Sequence, residues 1–166
     1  MSNAIVTTTT SKDALSILGA SDDRELLSQC MEDFLPYDVP FQAKVRINEV
    51  KAKKNHDNRG IFISMTVLES SDPDNVKVGK AYVVAYFDTH KTVPEFVLGK
   101  MAHQRREFAA TIAGVPNTDD FKAAPVLLQL HNEVEPLGIL MDIENKYLRT
   151  TRNAKPIHEL RFALSK

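Results

Sequence analysis

Between Phe41 and Asp88 the sequence alternates apolar and polar residues in three successive segments. A period of two places alternate side chains on opposite faces of a β-strand, whereas a helix requires a period near 3.6. Three such segments in close succession predict a sheet with one buried face. The chain is therefore expected to be mainly β.

The first segment alternates regularly and then slips by one residue. Its predicted inward residues are Phe41, Ala43, Val45, Ile47, Val50 and Ala52. A slip in a period of two is what a β-bulge produces, and bulges bend strands into barrels. The polar stretch 51–60, which ends at Gly60, is predicted to be a hairpin loop.

The next two segments predict two further strands. The second, Ile61 to Leu68, is expected to bury Ile63, Met65 and Val67. The third runs from about Gly79 to Asp88, and its predicted inward residues are Ala81, Val83, Ala85 and Phe87. Its predicted outward residues are Lys80, Tyr82, Val84 and Tyr86.

The second half of the chain predicts helices and a final hairpin. Thr92 and Glu95 have capping-box spacing, and a helix is expected from there to Gly114. Residues 125–134 predict a short helix, with a strand over 126–130 as the alternative. Alternation over 138–149 and 157–164 predicts a hairpin whose loop is 150–156.

Three strands, a helix and a two-stranded hairpin follow the order of an OB-fold. We therefore predict a five-stranded, partly open barrel with a helix between strands 3 and 4 and an N-terminal helical extension. The predicted domains are 1–38, a flexible acidic tail with an amphipathic helix, and 39–166, an OB-fold nucleic-acid-binding domain. That helix would begin at Ser21 and bury one apolar face.

Charge is segregated along the chain although its net charge is only -1. Residues 1–40 carry a net charge of -5, whereas residues 41–60 and 149–166 carry +4 each. Local charge governs attraction, because salt screens charges beyond about 8 Å. The two cationic segments coincide with the two predicted loops that grip oligonucleotides in OB-folds.

Rings and cations on the predicted outer face suit a single nucleic-acid strand. The proposed stacking platforms are Phe62, Tyr82 and Tyr86, with burial of these rings in the core as the alternative. The proposed phosphate contacts are Lys51, Lys53, Lys54, Arg59, Arg152 and Lys155 in the loops and Lys44, Arg46 and Lys80 on the strands. Ordinary solvated loops are the alternative for these cations.

The remaining composition predicts a soluble cytoplasmic protein without metal or cofactor. One cysteine, Cys30, excludes an internal disulfide framework. No apolar run approaches the roughly 20 residues of a membrane span, so no membrane partner is expected. The five histidines have no ligand-like spacing.

The chain resembles the phage-encoded OB-fold single-stranded DNA-binding proteins over residues 39–164. The resemblance rests on the stretches 41–45 (FQAKV), 108–115 (FAATIAGV) and 136–144 (PLGILMDIE). It implies a protein that coats and protects single-stranded DNA in the cytoplasm of a bacterial host during phage replication, recombination or repair, without catalysis. Replication or recombination proteins would be its protein partners. Several such proteins end in an acidic tail, whereas the acidic segment here is N-terminal.

Two other functions compete with this hypothesis. The same barrel would serve as a protein-interaction or virion-assembly module, or form a homo-oligomer, if the helix of residues 22–34 were its contact. A metal-dependent nuclease is a weaker hypothesis, because Asp74 lies far in sequence from Glu144 and Lys146. Neither a phosphate-binding glycine loop nor a nucleophile elbow is present. We therefore predict that the protein is not an enzyme.

Overall fold

A computed structural model describes residues 33–55, 58–150, 152 and 156–165. Residues from Phe34 onward form one compact unit. Leu35 belongs to its core, with 7% of its surface exposed, so the packed region begins upstream of the predicted boundary at Val39. Most of the predicted amphipathic helix lies outside the described residues, and its last two residues, Asp33 and Phe34, are in a short strand instead.

The described chain contains six strands and two helices. The strands are β1 (Asp33–Phe34), β2 (Phe41–Asn55), β3 (Asn58–Ser70), β4 (Ala81–Thr89), β5 (Ile139–Thr150) and β6 (Pro156–Leu164), and the helices between β4 and β5 are α1 (Glu95–Ala113) and α2 (Ala123–Asn132). The mainly β class is confirmed. The predicted short helix is also confirmed over its strand alternative.

All six strands belong to one sheet, in the order β1-β4-β3-β2-β5-β6. Strands β2, β3 and β4 pair as successive antiparallel hairpins, and β5 returns after the helices to pair with β2. This arrangement is a Greek key. Among the described residues the sheet is not closed, since β1 and β6 lie at its two ends.

Strand β2 is bent, as the slip in its pattern predicts. Its register with β3 shifts between Lys44 and Val45 and again between Ile47 and Glu49. It pairs with β5 only as far as Ile47. Beyond that residue, the edge of β2 is contacted by the chain at and after the end of α2: Leu137 donates its N–H to the carbonyl of Asn48 at 2.9 Å.

The core lies on one face of this curved sheet, beneath α1. The most deeply buried residues of β2 and β3 are those the alternation predicts: Val45, Ile47, Ile63, Met65 and Val67 are each 0% exposed. Phe108 of α1 is also 0% exposed and contacts Phe162 of β6 edge-on, with ring centroids 5.2 Å apart. Ala52 is the exception, since it is exposed rather than buried.

Helix α1 ends where predicted but begins differently. Gly114 adopts a left-handed conformation, with φ of 70°, and closes the C-terminus. The N-cap is Pro94, which provides no side-chain hydrogen bond. The hydroxyl of Thr92 lies instead 3.2 Å from Nδ1 of His90, so the predicted capping box is wrong. In the described part of the chain, neither helix combines the length and hydropathy needed to cross a bilayer.

The predicted loop over 51–60 is wrong, because both strands continue almost to the turn. Lys51 pairs with Phe62, Lys53 with Gly60 and Lys54 with Arg59. One face of these strands is solvated, so polar residues are compatible with strand pairing there. The end of the apolar alternation therefore did not mark the end of the paired strands. The loop of the last hairpin is likewise shortened, with Thr150 paired to Pro156.

Candidate nucleic-acid interface

Tyr82 and Tyr86 are buried, so the prediction that they face outward is wrong. They are 3% and 6% exposed, respectively. Tyr82 pairs with Met65 and Tyr86 with Ile61, both of which lie on the core face of β3. In β4 both alternating sets are apolar, so the pattern could not decide which set is buried. The larger rings fill the core, and alanines 81 and 85 lie on the other face.

The two buried phenols keep polar partners within the fold. Tyr82 accepts the backbone N–H of Lys77 at 2.9 Å, and the hydroxyl of Tyr86 lies 3.5 Å from Oε1 of Gln104. A polar tip that finds a partner is what allows a tyrosine to be buried. Burial raises the pKa of the Tyr86 phenol well above its usual range, because the phenolate would lose its hydration.

Phe62 lies on the opposite, outer face and is half-buried. It contacts Phe87 edge-on, with centroids 5.7 Å apart and an interplanar angle of 89°. Phe87 in turn contacts His90 at 4.6 Å. We call Phe62, Phe87 and His90 the aromatic row. The ammonium of Lys53 lies 5.2 Å from the centroid of the Phe62 ring, within the range of a cation–π interaction.

Two members of the aromatic row were not predicted as site residues. Phe87 was predicted to face inward together with Ala81, Val83 and Ala85, and that prediction is wrong. His90 was not predicted as a site residue because the histidines have no ligand-like spacing. The signal lies in the cross-strand register, since the pairing of Gly60 with Phe87 and of Phe62 with Ala85 places the two phenylalanines diagonally on the same face. Sequence alone does not supply that register.

Three of the predicted phosphate-binding cations have partners within the protein. Lys51 donates to the carbonyls of His131 and Glu133 at 2.8 and 2.9 Å. Arg59 forms an ion pair with Asp88 at 3.0 Å, and Lys44 forms one with Glu69 at 3.6 Å. The two ion pairs are largely exposed and therefore contribute little to stability. Lys51 is instead fixed against backbone carbonyls.

The other predicted cations are distributed over the sheet. Lys53 and Lys54 are exposed near the turn between β2 and β3, and Arg46 is exposed on β2. The ammonium of Lys80 lies 5.4 Å from the centroid of the buried Tyr82 ring. Arg152 is exposed, and Lys155 lies outside the described residues.

The register separates the two predicted cationic segments. Because Phe41 pairs with Asn145 and Ile47 with Ile139, the end of β5 at Thr150 extends beyond the first residue of β2. Lys53 and Lys54 lie near the opposite end of β2. The two segments therefore do not merge into one patch along this strand. The positive charge next to the aromatic row comes from the β2–β3 hairpin, where the ammonium of Lys53 lies 5.2 Å from the centroid of the Phe62 ring.

No family model, curated protein or solved structure matches this chain. The described residues also contain no group of three or more His, Cys, Asp or Glu side chains placed to hold a metal ion. In particular, Glu144 on β5 accepts a hydrogen bond from Gln42 at 3.3 Å and does not join Asp74 in such a group.

Proposed function

We propose that this chain binds single-stranded DNA without catalysing a reaction, through the aromatic row and the cations of the β2–β3 hairpin. The observation that carries the proposal is the contact series from Lys53 through Phe62 and Phe87 to His90. Single strands bind where bases stack on rings and phosphates meet cations, with each stack contributing about 1 to 3 kcal/mol. The aromatic row provides the rings and the β2–β3 hairpin provides the cations, within one short region of the outer face.

We propose further that the sheet is an open form of the OB-fold. The Greek-key order supports this, since β5 lies beside β2 as the strand after the helix must in such a barrel. OB-folds bind oligonucleotides on their second and third strands, which correspond to β3 and β4. Those are the strands that carry Phe62 and Phe87.

The biological setting remains the one that the resemblance implies. We propose that the protein coats single-stranded DNA during phage replication, recombination or repair, in the cytoplasm of a bacterial host. An OB-fold site covers about 4 to 16 nucleotides, which is more than three rings can stack. The nucleotides beyond the row would contact only cations, and binding should therefore weaken strongly with salt.

Fluorescence anisotropy with labelled oligo-dT at several salt concentrations tests the proposal. Phe62→Ala should weaken binding about 5- to 150-fold, corresponding to one lost stack, and leave the salt dependence unchanged. Lys53→Ala should also reduce the slope of log affinity against log salt by about 0.7. Both effects follow because stacking is independent of salt and phosphate neutralisation is not.

Helix α1 offers a matched pair of controls. Phe96 is 68% exposed and has the ammonium of Lys100 5.9 Å from its ring centroid, which repeats the ring-and-cation geometry away from the row. Phe96→Ala and Lys100→Ala should leave oligo-dT binding unchanged. Absence of binding by the unmodified protein, or equal losses in the control variants, would contradict the proposal.

A protein-interaction module is the second candidate function. Its predicted contact, residues 22–34, lies almost wholly outside the described residues. A different surface favours it: an apolar groove, lined partly by exposed residues of α2, lies between the β2–β3 hairpin and the helices.

A further inference from the structure

We infer that the groove between the β2–β3 hairpin and the helices is a docking site for an acidic amphipathic helix of a partner protein. The groove has a volume of about 1120 Å³. Its apolar residues come from three elements: Val50, Ala52 and Ile61 from the hairpin, Ala102 from α1, and Ala123, Ala124, Pro125, Leu127 and Leu128 from α2. We call it the helix–hairpin groove.

The helix–hairpin groove contains apolar surface that the fold leaves uncovered. Val50 and Ile61 are buried at its base, at 1% and 8% exposed. Leu128 is 59% exposed, and its helical neighbours Ala124 and Pro125 are also exposed. Leu128 lies three and four residues after Pro125 and Ala124, so these three apolar side chains share one face of α2. A contiguous apolar face of this kind is a feature of protein-interaction sites.

The lining favours a helix over a nucleobase. Among the described residues that line it there is no Phe, Tyr or Trp on which a base could stack. Aliphatic side chains repeated along one face of a helix fit such a surface, as in other helix-in-groove complexes.

The charges around the groove select an acidic partner. Its lining includes the cations Arg59, Arg105, Arg106 and Lys122 and a single carboxylate, that of Asp88. Asp88 is already paired with Arg59 at 3.0 Å, so the other three cations leave a surplus of positive charge. Complementary charges at a rim accelerate association and exclude partners of the same sign.

Arg106 is held in place for this role. Its guanidinium donates to the carbonyl of Thr118 at 2.9 Å and lies 5.7 Å from the centroid of the Phe121 ring. Both partners belong to the segment that leads from α1 into α2. Arg105 and Lys122 are the better residues to substitute, since neither substitution removes these contacts.

The helix–hairpin groove and the aromatic row lie on opposite faces of the β2–β3 hairpin, and the hairpin cation Arg59 lines the groove. Val50 and Ile61 point into the groove, whereas their neighbours Lys51 and Phe62 belong to the opposite face of the same strands. A peptide in the groove and an oligonucleotide on the row would therefore contact the hairpin from two sides. We expect the two ligands to bind at the same time.

A designed peptide tests the inference on the full chain. The probe is a fluorescein-labelled helix of about five turns, with leucines at i, i+3, i+4 and i+7 and glutamates at most other positions. We expect saturable micromolar binding that weakens with salt. The same peptide with glutamine in place of glutamate should bind at least about fivefold more weakly, because it lacks the complementary charge.

Substitutions in the protein locate the binding site. Arg105→Glu and Lys122→Glu should each weaken peptide binding about fivefold or more, and Leu128→Asp about tenfold or more. Lys77→Glu, on the exposed turn before β4, and Leu140→Asp, on β5 at 46% exposed, are the matched controls and should change nothing. Circular dichroism melting of every variant verifies that the fold is retained.

The inference is overturned by any of three results. The first is no saturable binding of the glutamate peptide, and the second is equal binding of the glutamine peptide. The third is displacement of the peptide by oligo-dT together with loss of oligo-dT binding in Arg105→Glu, which would assign the groove to nucleic acid. Peptide binding that survives Phe62→Ala, while oligo-dT binding is lost, supports two separate sites.

Discussion

Two sets of aromatic side chains lie on opposite faces of the same antiparallel strands. Tyr82 and Tyr86 are buried on the core face, with their hydroxyls directed to partners within the fold. Phe62 and Phe87 are half-buried on the outer face, and among the described rings and cations their partners are each other, His90 and Lys53. The tyrosines stabilise the core, whereas the phenylalanines lie on the face that we propose to bind a single strand.

The difference shows that aromatic character alone does not identify a stacking surface. A tyrosine buries well when its hydroxyl finds a partner. The face on which a ring lies, and hence its role, depends on which cross-strand neighbours the register provides. Four measurements would break or sharpen this comparison.

The largest expected effect is on stability. Tyr86→Ala should lower the free energy of unfolding by about 3 to 5 kcal/mol, as for other large buried rings, whereas Phe62→Ala should lower it by less than half as much. Urea denaturation monitored by circular dichroism measures both values. Similar losses for the two variants would show that the two faces are equally buried.

Gly60 on β3 lies close to the backbone of Tyr86 and Phe87 on β4. A Cβ at this position would be 2.5 Å from the carbonyl oxygen of Tyr86 and 2.7 Å from Cα of Phe87, so β3 and β4 would have to separate. Gly60→Ala should therefore destabilise the protein by about 1 to 3 kcal/mol. Gly99, inside α1 with nothing within 4 Å of its Cβ position, is the control. Gly99→Ala should stabilise the protein by about 0.5 to 1 kcal/mol, and a stabilising Gly60→Ala would refute the close approach.

A double-mutant cycle measures the contact within the aromatic row. Phe62→Ala, Phe87→Ala and the double variant should give a coupling free energy of about 0.5 to 1.5 kcal/mol, which is typical of an edge-to-face pair. Denaturation curves supply the stability coupling, and oligo-dT titrations of the same proteins supply the binding coupling. Additive effects in both assays would mean that the two rings act independently.

The smallest expected effect concerns the Tyr86 hydroxyl. Because burial raises the pKa of this phenol in the folded state, its contribution to stability is complete below the unfolded pKa of about 10 and is lost as the pH rises further. Tyr86→Phe removes a long hydrogen bond and should cost about 1 kcal/mol or less at neutral pH. Unfolding of both proteins followed into the alkaline range should show a shallower loss of stability in the variant. Parallel curves would show that the phenol is not protected from ionisation.

The fold was predictable where the two faces of an element differ in polarity. Val45, Ile47, Ile63 and Met65 alternate with polar residues, and each is buried as expected. The bulge in β2 was also visible, because its apolar phase slips within a single strand. The C-terminus of α1 was marked by Gly114.

The candidate site was less predictable, because it depends on register. In β4 both alternating sets are apolar, and nothing in the local pattern says that Tyr86 pairs with Ile61 on the core face. The same limit applies to the cations. In the sequence these residues are all simply cations. In the fold, Lys51 contacts a backbone carbonyl, Lys53 contacts a ring and Arg59 contacts a carboxylate. The partners of Lys51 and Arg59 come from segments distant along the chain.

Part of the edge of β2 pairs with no described strand, and its contacts limit the addition of further strands to the sheet. From Asn48 onward no strand among the described residues lies on that side, and the backbone is contacted instead by Leu137 and by the imidazole of His131, whose Nδ1 accepts the N–H of Ala52 at 3.0 Å. An exposed strand edge is a template for pairing with a second chain. One imidazole and a short stretch after α2 therefore cover part of this edge, and we expect His131→Ala to leave the N–H of Ala52 available to another strand.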